Sequence, residues 1–174
     1  MHKVGDFEVV SGEINVGDPC YGGDRRLTAM NGRWQGFVEY SDEGSWGTRV
    51  AVLLARHADY NNFLSNLEED GGLGVDSGQM SVVDNDIAAD CGEGLYDDIC
   101  KATLAKESAG LVSALDDEHS IHGVASSTGF GDGFYPLFVA KNDDGEAIAV
   151  KVVFIDDEPV LEEEDEEEWD EDEA

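Results

Sequence analysis

The run from Phe134 to Ile155 constrains this chain more than any other stretch. Phe134–Lys141 and Ala147–Ile155 are apolar, β-branched segments of strand length, and Asn142-Asp143-Asp144-Gly145 lies between them. The Asp-Gly pair tolerates positive φ at both central positions of a tight turn, so the segment is expected to be a β-hairpin. Its residues are core strands and a turn, and the rest of the chain is organised around them.

Other strands are expected at Phe7–Val10 and Glu13–Val16, on either side of Ser11-Gly12, and at His122–Ser127. Trp34–Tyr40 and Arg49–Ala55 form a second hairpin across the Gly-rich loop Ser41–Gly47, and Leu73–Val83 reads as strand, loop, strand around Asp76-Ser77-Gly78-Gln79. Tyr60, Phe63, Leu64 and Leu67 recur at helical spacing behind Asp59, a residue suited to an N-cap, and Gly71-Gly72 stops the run. Glu93–Lys106 carries Leu95, Ile99 and Leu104 on one helical face, with Lys101 and Lys106 in its last turn. Ser108–Ser120 is a connector, and no internal repeat of fixed period is visible. The expectation is one α+β domain over residues 1–155. It is mainly antiparallel, as a single twisted sheet or two packed sheets, with two amphipathic helices near 59–69 and 93–106.

Charge decides which partners such a domain can have. Forty-one acids against ten bases give −31, of which the segment 156–174 supplies fourteen acids and no base, leaving −17 on the body. That field repels phosphate backbones and anionic membranes, which argues against direct nucleic-acid or membrane binding and for a basic protein partner. A solubility device or an adaptation to high salt explains the same excess. The 156–174 tail cannot bury enough apolar surface to order itself alone. Within it, Trp169 among Glu166, Glu167, Glu168 and Asp170 would give a partner one aromatic anchor in an acidic peptide, and acids spaced like phosphates would mimic a nucleic acid.

Three cysteines, Cys20, Cys91 and Cys100, with no CxxC pair suit reduced thiols in the cytoplasm. The N-terminus lacks a signal-peptide core, and the longest apolar run, 50–55, is too short to span a bilayer.

Three loops share a carboxylate beside glycine at a strand end: Asp18 before Pro19, Asp76 before Ser77-Gly78-Gln79, and Asp132 between Gly131 and Gly133. Brought together, Asp18, Asp76 and Asp132, aided by Ser77, Gln79, Ser126 and Ser127, would bind a divalent cation or a polar small molecule, as in a metal-dependent enzyme or a sensor. Asp and Gly are also what turns are ordinarily made of. Cys20 is a candidate nucleophile if His57, His119 or His122 stands within hydrogen-bond reach, although a free cysteine is more often a small buried hydrophobe. Asp84-Asn85-Asp86 opens like a calcium loop but lacks its glycine and distal glutamate, and no zinc pattern surrounds His119 and His122. No cofactor is expected beyond that cation. The leading reading is a non-enzymatic acidic binding protein, with the enzyme or sensor as the alternative.

Gly17-Asp18-Pro19-Cys20-Tyr21, Gly74-Val75-Asp76-Ser77-Gly78-Gln79 and Gly131-Asp132-Gly133-Phe134-Tyr135-Pro136, in this order and spacing over residues 7–155, resemble a family of small uncharacterised proteins of bacteria and their phages. The resemblance implies one compact domain rich in antiparallel sheet and a phage-related origin, and it implies no activity. The acidic tail is not part of it.

Overall fold

The computed structural model describes residues 1–21, 25–60, 66–90, 92–105, 107–114 and 117–156. In chain order the first strands are β1 (His2–Val9), β2 (Glu13–Gly17), β3 (Arg25–Thr28), β4 (Gly32–Asp42) and β5 (Thr48–His57). There follow β6 (Glu68–Val75), β7 (Gln79–Asp84), the helices α1 (Asn85–Asp90) and α2 (Gly92–Leu104), and then β8 (Ala109–Ala114), β9 (Asp117–Ser127), β10 (Gly133–Lys141) and β11 (Ala147–Val153). Six of the strands pair in the order β1-β4-β5-β11-β10-β6 and five in the order β3-β2-β7-β9-β8, antiparallel throughout both sheets.

Alternation along each strand sorts side chains into layers. Phe7, Val9, Trp34, Leu53, Val75 and Val150 of the first sheet meet Ile14, Val16, Met80, Val82 and Val124 of the second in one buried core. Leu54, one residue on from Leu53, joins Ala140, Ile148 and Ala149 on the outer face of the first sheet, where Tyr60 and Leu67 pack on them. Val83 and Ala125 face outward from the second sheet onto Ile99 of α2. All six residues of β7 are buried because its strand is covered on both faces. At the centre the two sheets approach closely: a Cβ on Gly36 would lie 2.7 Å from Val124 Cγ2. Gly36→Ala is therefore expected to cost about 2 kcal/mol by overpacking, and chemical denaturation of the Gly36→Ala/Val124→Ala pair should show less than the sum of the two single losses.

The expected α+β class is overturned. Strands account for 62% of the structure and helices for 14%, with only one helix of seven or more residues among those described. Two packed sheets is the arrangement found. The second expected helix is α2. Of the first, residues 61–65 lie outside the described part, while Glu68 and Glu69 belong to β6 and pair with Val139 and Phe138. Tyr60 and Leu67, at the two ends of that span, are half-buried against the outer face of the first sheet, and the helix expected between them falls on residues outside the described part. The supposed connector 108–120 contains β8 and the start of β9. No helix of the described residues is long and apolar enough to cross a membrane.

The strand orders conceal a two-fold repeat. Reading the six-stranded sheet from either edge gives the same sequence of elements, with β1, β4 and β5 matched by β6, β10 and β11, and in the other sheet β2 and β3 are matched by β7 and β9. Register agrees residue by residue: Phe7 pairs with Trp34 and Val9 with Gly32, as Leu73 pairs with Tyr135 and Val75 with Gly133. Where the halves join, Ala149 faces Arg56 and Val153 faces Val52, symmetric about the Lys151–Leu54 pair. The second half adds α1, α2 and β8 between its matched strands, which is why no fixed period shows in the sequence.

A carboxylate-clasped corner as the candidate functional site

The repeat is most detailed where the chain crosses from one sheet to the other. Val9-Val10-Ser11-Gly12 turns β1 into β2, and Val75-Asp76-Ser77-Gly78 turns β6 into β7. Gly12 and Gly78 adopt φ of 75° and 70°, a region that glycine enters without strain. Each corner hands its backbone carbonyl to the next crossing: the Ala29 amide donates to the Gly12 carbonyl at 2.9 Å and the Thr128 amide to the Gly78 carbonyl at 3.1 Å.

Asp18, just after β2, closes the second corner. One carboxylate oxygen, Oδ2, accepts from the amides of Asp76 (2.8 Å) and Ser77 (3.0 Å), and the other, Oδ1, accepts from the Ser77 hydroxyl (2.6 Å) and the Cys20 amide (2.9 Å). The residue is fully buried. Burial alone would raise its pKa, but the Ser77 hydroxyl and the Asp76, Cys20 and Ser77 amides outweigh it and hold the carboxyl below its ordinary 3.8. Asp84, at the end of β7, does the same for the first corner. It is fully buried, its Oδ2 accepts from the amides of Val10 (2.7 Å) and Ser11 (3.0 Å), and its Oδ1 accepts from Asp86 (3.0 Å).

The three loops read from the sequence do meet. Asp18 holds Asp76 and Ser77, Gly78 bonds Thr128, and Val75 pairs with Gly133. Their side chains nevertheless divide into separate tasks. Asp76 and Asp132 are exposed, Asp18 is enclosed by protein donors, and Ser126 is buried with its hydroxyl donated to the Ser127 carbonyl. Gln79, opposite Ser127 in the β7–β9 pair, donates to the Thr103 hydroxyl of α2 at 2.8 Å and lies 3.4 Å from the Cys100 sulfur. Among the described residues no three His, Cys, Asp or Glu side chains are arranged to hold a metal ion. Cys20 is exposed in the short 3-10 turn Pro19–Tyr21. His57 is buried, with Nδ1 accepting from the Asp59 amide and Nε2 beside the Asn31 carbonyl, and His122 Nδ1 lies 3.1 Å from the Glu8 carbonyl. A groove of about 470 Å³ sits at the opposite end of β6, lined by Glu68, Glu69, Asp70 and Lys141. Trp169, Glu166, Glu167, Glu168, Asp170, Cys91 and the His119 side chain lie outside the described part.

Residues 47–152 match a family described as protein of unknown function, DUF4241. The chain belongs to this family. No curated protein and no solved structure matches it. The DUF4241 match opens in the loop between β4 and β5 and closes within β11, so it contains the Ser77 corner and the Thr128–Gly133 crossing while Asp18 precedes it.

Sequence reasoning missed Trp46, Phe130 and Arg49, and it weighed Asp84 only as the opening of a calcium loop, not as a clasp. A signal for Asp84 was present: Ser11-Gly12 precedes Asp18 by the same spacing at which Ser77-Gly78 precedes Asp84. Trp46 is 68% exposed in the β4–β5 turn and meets Phe130, 56% exposed, edge to face at 6.4 Å, while the Arg49 guanidinium lies 5.5 Å from the Phe130 ring centre. An aromatic residue set between glycines, as in Gly44-Ser45-Trp46-Gly47 and Gly129-Phe130-Gly131, was the available clue.

Proposed function

We propose that this DUF4241 member is an acidic binding protein whose partner is a basic protein. The observation that carries the reading is what its few bases do. Lys3, Arg25, Arg26, Arg33 and Lys101 each lie within 4 Å of a carboxylate, and Arg49, Arg56 and Lys151 lie over the rings of Phe130, Phe37 and Phe138. Eight of the nine described bases are thus engaged within the fold, and the acids in excess set the outward field. The cation or small-molecule reading draws less support. The carboxylate it needs most, Asp18, has both oxygens filled by protein donors, and Asp84 repeats that arrangement at a corner with no proposed ligand.

A fluorescein-labelled Lys/Arg-rich peptide should bind the full chain at low salt, with affinity falling steeply as salt is raised, whereas a DNA duplex should not bind. Equal binding of peptide and duplex, or of neither, would remove the proposal.

A further inference from the structure

We propose that the exposed rings of Trp46 and Phe130 form the docking point for that basic partner, an inference that rests on the reading above and gives it a site. The argument comes from where the internal repeat fails. The β4–β5 and β10–β11 hairpins share register and a matching irregularity, between Glu39 and Tyr40 in one and between Ala140 and Lys141 in the other. The first hairpin then continues for two further pairs, Ser41–Arg49 and Asp42–Thr48, and its turn carries Trp46. The second stops at Lys141–Ala147.

The other departure is at the crossing into β10. Ala29 and Thr128 are equivalent by their bonds to Gly12 and Gly78, and Met30 and Gly131 by the bonds they accept from Trp34 Nε1 (2.8 Å) and the Tyr135 hydroxyl (2.6 Å). Ala29 and Met30 are adjacent, whereas Gly129 and Phe130 stand between Thr128 and Gly131. The hairpin extension of one half and the two-residue insertion of the other come into contact, and the contact is Trp46 and Arg49 on Phe130. Neither segment is required to complete the sandwich. Two large rings left this exposed cost solubility without contributing core.

The occupant follows from the surroundings. Exposed Asp42 shares the Trp46 hairpin, exposed Asp132 follows Phe130 by two residues, and a Cβ on Gly129 would lie 3.1 Å from Ile155, the neighbour of exposed Asp156. Exposed rings on segments that also carry exposed acids suit a segment bearing arginine or lysine, with a ring taking the cation or its alkyl stem and the acids supplying the attracting field. Arg49 over Phe130 displays that geometry within the chain and is the cation that a partner's arginine replaces on docking.

The test uses the full chain and a labelled peptide alternating arginine with leucine, read by fluorescence anisotropy. Trp46→Ala/Phe130→Ala should weaken binding about tenfold or more with the melting temperature unchanged. Each single variant should lose part of that affinity, which keeps the result readable if the double variant is less stable. Full affinity in the variants would overturn the site while leaving the basic-partner reading intact. No binding by the wild type would overturn both. Should sedimentation show a homodimer that the double variant dissolves, the patch is filled by a second copy and the proposal fails.

Discussion

Asp18→Ala and Asp84→Ala should each lower the unfolding free energy by about 3 kcal/mol, and by similar amounts. Each change strands amides that a single carboxylate now satisfies: Cys20, Asp76 and Ser77 in one case, and Val10, Ser11 and Asp86 in the other. Both aspartates are fully buried, so water replaces the lost acceptor only by opening a corner. Urea denaturation of the two variants beside wild type measures the effect. A loss for Asp84→Ala with none for Asp18→Ala would mean that the Asp18 carboxylate is not a clasp and would return it to the list of ligand groups.

The pH dependence separates charge from shape. Because the folded state lowers the Asp18 pKa, its ionised form is the one the fold favours. Its contribution is complete above the ordinary value of 3.8 and is lost as pH falls through the lowered folded value. The stability gap between wild type and Asp18→Asn should therefore be widest near neutrality and shrink as the solution is acidified below that range. A gap unchanged down to the acid limit would place the effect in packing instead. With so many acids titrating together, only the difference between the two proteins isolates this group.

The hairpin at Phe134–Val153 was legible because alternation and an Asp-Gly turn are local signals, and α2 was legible because its apolar face repeats at helical spacing. What was not legible depends on partners distant in sequence. Glu68 and Glu69 enter a strand because β10 pairs with them, and the burial of Tyr60 and Leu67 comes from a sheet face that no periodicity analysis can see. The convergence of the Asp18, Asp76 and Asp132 loops could be posed but not resolved. Sequence shows a carboxylate beside glycine; whether its oxygens point at amides or at a ligand is set by chain crossings nearly sixty residues apart. The repeat escaped for a related reason, since α1, α2 and β8 displace the second half of one copy from its first.

Trp34→Ala is expected to have the largest effect of any single truncation, about 4 kcal/mol. The indole is fully buried, lies against Phe7 and His57, and donates from Nε1 to the Met30 carbonyl, so its removal leaves a cavity in the inter-sheet core and takes a donor from that carbonyl. Its counterpart in the other half, Tyr135, does the same task more lightly: its ring packs edge-on against Phe154 and its hydroxyl donates to the Gly131 carbonyl, with the Thr128 carbonyl 3.2 Å away. Tyr135→Phe keeps the ring and should cost only about 1 kcal/mol globally. Its consequence is local, because those two carbonyls bracket Gly129 and Phe130, the insertion that holds one side of the aromatic patch. Hydrogen exchange should accordingly show faster opening of residues 128–131 in Tyr135→Phe while the β4–β5 core keeps its protection, and peptide affinity should fall alongside. Uniformly faster exchange in both halves would instead make Tyr135 a general core residue and detach the crossing from the docking surface.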